Sequence, residues 1–428
     1  MATWSHWLFD ESVSRYGDAM MSRTVGWLTL FLIGTDLFVM SPLLPMIGRS
    51  LGIGAVAGGW LVTVFALGYL IGGPSLGAVA DRRGRYTVLT GALAVFVVAN
   101  LATALAPSLA VLLAARTIAG VAASGITPSV YALVSATAPR SARGSWLAVV
   151  TSGLLIALII GAPAGALLAV VLGWHGVFFV ITAAALVILA VTGYSSVRAR
   201  AQQARAIAVG FPSSTADATE TAEVAAPPSI MVRIRAVCVT ALWALAVYGF
   251  YTYLATVLIG FRGFSTDLVA WALACFGGGA VLGNLLGGRL ADRYGGKLTS
   301  MVSLLALAVA QAAFSAVLYT DSIVVLDVFA VAIALAAYPY FSAQQLRLMA
   351  RYPEASGSLL AWNNSAMYLG ILLGSALGGV ALTVLGPQAL AAAAAAVAAV
   401  GAFATTWSIP AKTWTGSAPT PELPSSKS

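Results

Sequence analysis

Gly77-Ala-Val-Ala-Asp81-Arg82-Arg83-Gly84-Arg85 closes one long apolar stretch, and Gly288-Arg-Leu-Ala-Asp292-Arg293-Tyr-Gly295-Gly closes another, 292 − 81 = 211 residues later. Working outward from this pair, Gly161, Gly165 and Gly173 are answered by Gly374, Gly378 and Gly386, each 213 residues on. Arg49 and Arg262 are also 213 apart, and Pro339 follows Pro128 by 211. A register held at so many places marks an internal repeat, so the chain is two copies of one architecture.

Composition says what the copies are made of. Of 428 residues, 60% are hydrophobic and only 8% are charged, where a soluble domain carries roughly a quarter charged residues. The solvent for most of this chain is lipid. A spanning helix needs about twenty apolar residues, and in lipid a helix is the element that satisfies its own backbone. Apolar runs between breakers predict helices near 25–47, 56–80, 87–106, 109–135, 145–171 and 174–194, then near 233–260, 267–291, 298–318, 322–349, 358–384 and 387–407. The expected fold is an all-α integral membrane protein with twelve transmembrane helices in two pseudo-symmetric six-helix bundles. Residues 1–24 form an N-terminal extension, 25–194 the first bundle, 195–232 a polar linker, 233–407 the second bundle and 408–428 a disordered tail rich in Pro, Ser and Thr. The first apolar run is too long for a signal peptide's core and lacks a cleavage site, so it stays as a span.

The charge of +8 from 22 basic and 14 acidic residues does not point to nucleic acid, because the basic residues sit in short loops between apolar runs. With both termini and the linker in the cytoplasm, the opposite loops hold only Arg49 and Arg262, and Arg116 is intramembrane. The remaining 22 − 3 = 19 then lie on or toward the cytoplasmic side, as the positive-inside rule requires of a cell-membrane protein. Cys238 and Cys275 fall in apolar segments, and His6 and His175 are far apart, which gives neither a disulfide framework nor a metal site. Gly277-Gly-Gly279 with Gly283 and Gly287 lacks the Lys-Ser/Thr of a phosphate loop and belongs to a packing face. No cluster of acids and nucleophiles suggests an enzyme, and no cofactor is expected.

Taken together, these motifs resemble the major facilitator superfamily across nearly the whole chain. The Gly77-x-x-x-Asp81-Arg82-x-Gly84-Arg85 pattern looks like its signature between helices 2 and 3, with Tyr86 where a further basic residue is usual. Gly77 permits close helix approach, Gly84 a tight turn, and Asp81 can accept hydrogen bonds from a helix N-terminus. The resemblance implies that this turn and its copy at Gly288, Asp292 and Arg293 latch the two halves on the cytoplasmic side; the plainer alternative is a basic loop that only sets topology. Arg116 in Arg116-Thr-Ile-Ala-Gly120 matches the family's helix-4 arginine. Burying it costs at least ~2.5–3.5 kcal/mol at a helix centre, so it needs a partner or a cavity unless it snorkels to the membrane edge. Asp36, in Ile33-Gly-Thr-Asp36-Leu-Phe-Val-Met-Ser-Pro-Leu-Leu-Pro45, resembles the acid in helix 1 of drug:proton antiporters. Asp36 and Arg116 are the expected proton-coupling residues, against a purely structural hydrogen-bonding aspartate. Their register counterparts at 213 are Gly249 and Phe329, so the charges appear in one half alone. Gly161-Ala-Pro163-Ala-Gly165 resembles the helix-5 motif of exporters, in the short form of the sugar (arabinose-type) efflux branch.

The solute side is aromatic. Tyr248, Tyr251 and Tyr340, with Asn363 and Asn364, form an expected cavity for an amphipathic solute of low fixed charge, although some of these rings will face lipid or packing. The expected function is proton-coupled efflux of a small drug-like or metabolite solute by alternating access, through a monomer whose partners are the solute, protons and the lipid bilayer. Sugar or metabolite export, import or uniport on the same fold is the near alternative, and a non-transporting membrane protein the distant one.

Overall fold

A computed structural model describes residues 23–139, 142–208, 229–352 and 356–408. The expected extension over 1–22, most of the linker (209–228) and the tail from 409 lie outside the described residues, as do the side chains of Gly77, Asp81 and Arg82. The helices are α1 (Arg23–Phe38), α2 (Met40–Leu51), α3 (Ala55–Arg83), α4 (Arg85–Ala104), α5 (Leu109–Thr137), α6 (Arg143–Ile156) and α7 (Ala162–Ala208). The second half follows with α8 (Ile230–Ala255), α9 (Thr266–Tyr294), α10 (Gly296–Val317), α11 (Ile323–Ala337), α12 (Pro339–Arg351), α13 (Ser356–Val384) and α14 (Pro387–Ser408).

Ten segments are long and apolar enough to cross a membrane, and α1 with α2, bent by 44°, makes an eleventh. One of the ten, Ser145–Ser195, has 51 residues, about 77 Å of helix against a hydrocarbon core of about 30 Å. It divides at Gly173, whose φ of 68° and ψ of 169° are not helical. That gives 10 + 1 + 1 = 12 spans among the described residues, and this is a multi-pass membrane protein. An even number of crossings puts Arg23 and Ser408 on one face, the terminal face; the other is the distal face. Span 1 is α1–α2 and span 5 runs from α6 through a π-helical turn, Ala157–Gly161, into α7. Span 6 is the rest of α7, and span 7 is α8 with its π turn, Thr256–Phe261. Span 10 is α11–α12. Span 6 runs on as helix through Ala208, so helix occupies part of the stretch read as linker.

The repeat is visible in the backbone itself. All six positive-φ glycines among the described residues form pairs: Gly52 with Gly263, Gly84 with Gly295, and Gly173 with Gly386. Gly84 and Gly295 have the same dihedrals, φ 84° and ψ 145°, a region in which a side chain is strained. Each donates its N–H to the carbonyl four residues back, Ala80 or Ala291, and the next helix starts at once.

Small residues bring the spans together. A Cβ on Gly161 or Gly165 of span 5 would press on Thr35 or Val39 of span 1, and Gly374 and Gly378 of span 11 stand against Gly249 and Tyr253 of span 7 in the same way. Gly68 of span 2 abuts Thr117 and Val121 of span 4, while Gly279 of span 8 abuts Val331 and Ala334 of span 10. The last comparison corrects one register. Val331 answers Thr117 at 331 − 117 = 214, and the N-caps Ser108 and Ser322 are also 214 apart. Spans 4 and 10 are thus offset by 214, so Arg116 corresponds to Ala330 rather than Phe329, and Pro339 is not the structural equivalent of Pro128. Pro128 sits inside an unbroken α5, whereas Pro339 opens α12 after a break at Tyr338. Pro339 has no N–H to continue the ladder. The carbonyls at the break are taken by side chains: Trp243 Nε1 donates to Ala337 at 2.8 Å and Ser303 Oγ to Ala336.

The halves meet along spans 1 and 7, 2 and 11, and 5 and 8. Gly277 of span 8 lies on the backbone of Leu158 and Ile159, and Gly59 and Gly379 close on Tyr253. Thr63 and Ser375 share a hydrogen bond at 2.8 Å, and Ser41 Oγ donates to the Tyr251 carbonyl at 2.6 Å. These contacts lie from the middle of the spans toward the distal face, which is therefore the sealed one.

Candidate solute and ion site

Span 1 carries Asp36 to the middle of the bundle, three residues before its bend, and span 4 brings Arg116 opposite. Arg116 Nη1 donates to Asp36 Oδ1 at 2.7 Å, and Nη2 donates to the Asp36 backbone carbonyl at 3.4 Å. Both side chains are 0% exposed, so Arg116 does not snorkel. The guanidinium is also held between two rings of its own half, 4.6 Å from the Phe65 centroid and 5.7 Å from that of Phe178, a cation–π setting that strengthens with desolvation. Asp36 Oδ2 and Arg116 Nε have no hydrogen-bond partner. The pair is thus tight but incompletely satisfied, and neutralising either member would release the other. Breaking such a pair on one side costs about 3–5 kcal/mol.

Directly beside Asp36, Leu37, Phe38 and Ser41 face Tyr248, Tyr251 and Thr252 of span 7 across a small cavity completed by Val62 and Ile371. Phe38 stacks on Tyr248 at 6.1 Å and meets Tyr251 edge-on at 5.9 Å. Tyr251 hydroxyl donates to the Phe38 carbonyl at 3.4 Å. Two of the three expected cavity tyrosines therefore line the seam between the halves. The third, Tyr340, is buried inside the second half, where its hydroxyl shares a 2.9 Å hydrogen bond with Thr240, which donates to Asn363 Oδ1 at 2.6 Å. Asn364 points the other way and donates to Tyr69 of the first half at 3.0 Å.

The helix-5 motif packs as small residues should: Pro163 is buried, directly after the π turn, and Gly161 and Gly165 admit span 1. At the terminal face, Gly84 and Gly295 make the two turns, and Arg85, Asp292 and Arg293 are exposed. Gly288 has nothing within 4 Å, so its face is open in this conformation rather than packed on a neighbour. Gly77, Asp81 and Arg82 belong to side chains outside the described residues.

Sequence reasoning missed Tyr69 and Tyr368, which stack across the seam, and Asp327. Asp327 in α11 is 9% exposed, and its Oδ1 lacks a hydrogen-bond partner. It was legible as a lone acid in Ile323–Ala337, an otherwise apolar helix. The Tyr69–Tyr368 pair has no sequence signal, since it depends on how spans 2 and 11 cross.

Comparison with known proteins gives a consistent answer. The family model described as Major Facilitator Superfamily matches residues 26–269 and 262–426. The inner membrane transport protein YdhP of Escherichia coli (strain K12) is 28% identical over 82% of this chain and 86% of its own length. The uncharacterized MFS-type transporter YceJ of Bacillus subtilis (strain 168) is similar to the same degree, 28% over 82% and 86%. A chloramphenicol resistance protein of Streptomyces lividans is 29% identical over 61% of this chain and 64% of its own. Among solved structures, a D-xylose-proton symporter matches with a TM-score of 0.72 at 15% identity, covering 91% of this chain and 98% of that one, a likeness of fold.

Proposed function

The chain belongs to the major facilitator superfamily, a family of transporters rather than enzymes, and from that premise we propose that it is a proton-coupled exporter of a small amphipathic solute. The observation that carries this reading is the fully buried Asp36–Arg116 pair, 2.7 Å apart and beside the cavity at the seam. A carboxylate held by one cation in a desolvated site is a two-state element: protonation removes its charge and loosens the pair, and deprotonation restores it. Rocking of the halves around the seam would expose Asp36 to each side in turn.

Export is supported by the helix-5 glycine–proline motif and by the similarity to a chloramphenicol resistance protein. The basic residues favour a cytoplasmic terminal face, which makes the sealed distal face the outer one. The exposed Asp292 and Arg293 and the open face of Gly288 fit a latch that is released when the cytoplasmic side is open. Arg85 and the Asp81–Arg82 turn would engage with their counterparts when that side closes.

Everted membrane vesicles given an acidic lumen test the reading with a panel of amphipathic solutes. Exchange of lumenal protons for solute predicts solute accumulation inside the vesicles. Accumulation driven by the opposite gradient would indicate import by symport, and indifference to the gradient a uniporter.

A further inference from the structure

At mid-membrane the two halves touch through a pair of rings. Tyr69 of span 2 and Tyr368 of span 11 stack with centroids 3.5 Å apart and planes 11° from parallel, and both are buried. The groups around them are polar and neutral. Asn364 donates to the Tyr69 hydroxyl at 3.0 Å. Ile371, one turn from Tyr368 toward the distal face, and Val62, two turns from Tyr69, already line the cavity. The stack therefore lies on the terminal side of that cavity, inside the open terminal face, and the Ser41–Tyr251 and Thr63–Ser375 contacts lie at and beyond its distal side.

Two features of this stack bear on what passes through it. Spans 2 and 11 belong to different halves, so rocking of the halves about the seam would part the rings. Two phenol rings face to face also set one negative π-face against another, whereas aromatic pairs prefer offset or edge-on arrangements at 4.5–7 Å. A ring whose face is electron-poor reverses that term. We propose that Tyr69 and Tyr368 form the terminal-side gate of the solute site, opened by ring exchange. A neutral, planar, electron-poor aromatic group of the solute takes the place of one tyrosine against the other, and Asn364 with the freed hydroxyls receives its polar substituents. Among the described residues a permanent charge on the solute finds no free counter-charge here, because Asp36 and Arg116 are paired with each other. This specificity rests on the reading of the seam cavity as the solute site, but not on proton coupling.

Equilibrium dialysis against the full chain in lipid nanodiscs, with empty nanodiscs subtracting lipid partition, tests it with 4-nitrobenzyl alcohol, benzyl alcohol and cyclohexylmethanol. The expected order of affinity is nitrobenzyl over benzyl over cyclohexyl, with about three- to tenfold between the extremes. Tyr368→Phe, which keeps the ring, retains the order; Tyr368→Leu and Tyr69→Leu each flatten it to within about twofold. The order is read at equilibrium with no imposed pH gradient, so failure of coupling and failure of the gate are separable. Equal binding of the three alcohols to the wild type, or an unchanged order in a leucine variant that elutes as a folded monodisperse species, overturns the proposal.

Discussion

In the first half Arg116 holds Asp36 at 2.7 Å with both side chains out of reach of solvent. The second half has Gly249, packed on Gly374, and Ala330 at the matching positions, and Phe250, next to Gly249 in the chain, packs edge-on against Phe314 at 5.0 Å. Its one acid in the same depth range, Asp327, has no ion-pair partner among the described residues and sits four residues inside the distal end of α11. The turns and packing faces, by contrast, are duplicated almost residue for residue. On the proposed mechanism the labour is divided: matched features serve the rocking of both halves, and the unmatched pair couples it to an ion.

The largest effect should come from breaking the unmatched feature from one side. Arg116→Ala leaves Asp36 buried and unpaired and should cost about 3–5 kcal/mol of stability, read from thermal unfolding in detergent. Asp36→Asn combined with Arg116→Ala should recover part of that loss, because no lone charge remains. If the double variant is as unstable as the single, the pair matters for packing and not for charge.

Next in size come the matched turns. Gly84→Ala and Gly295→Ala force a side chain into φ 84° and should each cost about 1–3 kcal/mol. Their shared dihedrals predict equal costs, so a large inequality in melting temperature would break the symmetry of the two turns. For the latch, Asp292→Ala and Asp81→Ala should each lower turnover several-fold while leaving solute affinity nearly unchanged, as stopped transport and equilibrium binding together would show. Full turnover in both would reduce these turns to topology signals.

Asp327→Asn should do the least. Its carboxyl makes no described ion pair, so stability should change by about 1 kcal/mol or less, with pH-driven transport retained. Loss of coupling in this variant would move ion chemistry into the second half as well.

Much of this was legible from the chain alone. Lipid imposes helices on apolar runs of the right length, and a repeat of glycines and basic turns reveals two copies. The positions of Asp36 and Arg116 in adjacent core spans could be expected, though not the 2.7 Å contact between them. Connections hid the rest, because loops absorb insertions cheaply. Equal numbering made Pro128 and Pro339 look equivalent, while the N-caps and the glycine crossings place spans 4 and 10 three residues further apart. Tyr340 and Asn363 were expected in the cavity wall but turn inward, since which face of a spanning helix meets the seam is set by how the spans cross and not by periodicity.

On the proposed mechanism Asp36 couples the shared motion to protons. Solute accumulation driven by an imposed pH gradient, measured beside solute counterflow in proteoliposomes of the Asp36→Asn variant, tests it most directly. Counterflow should persist while pH-driven accumulation disappears. Accumulation at the wild-type level would contradict it.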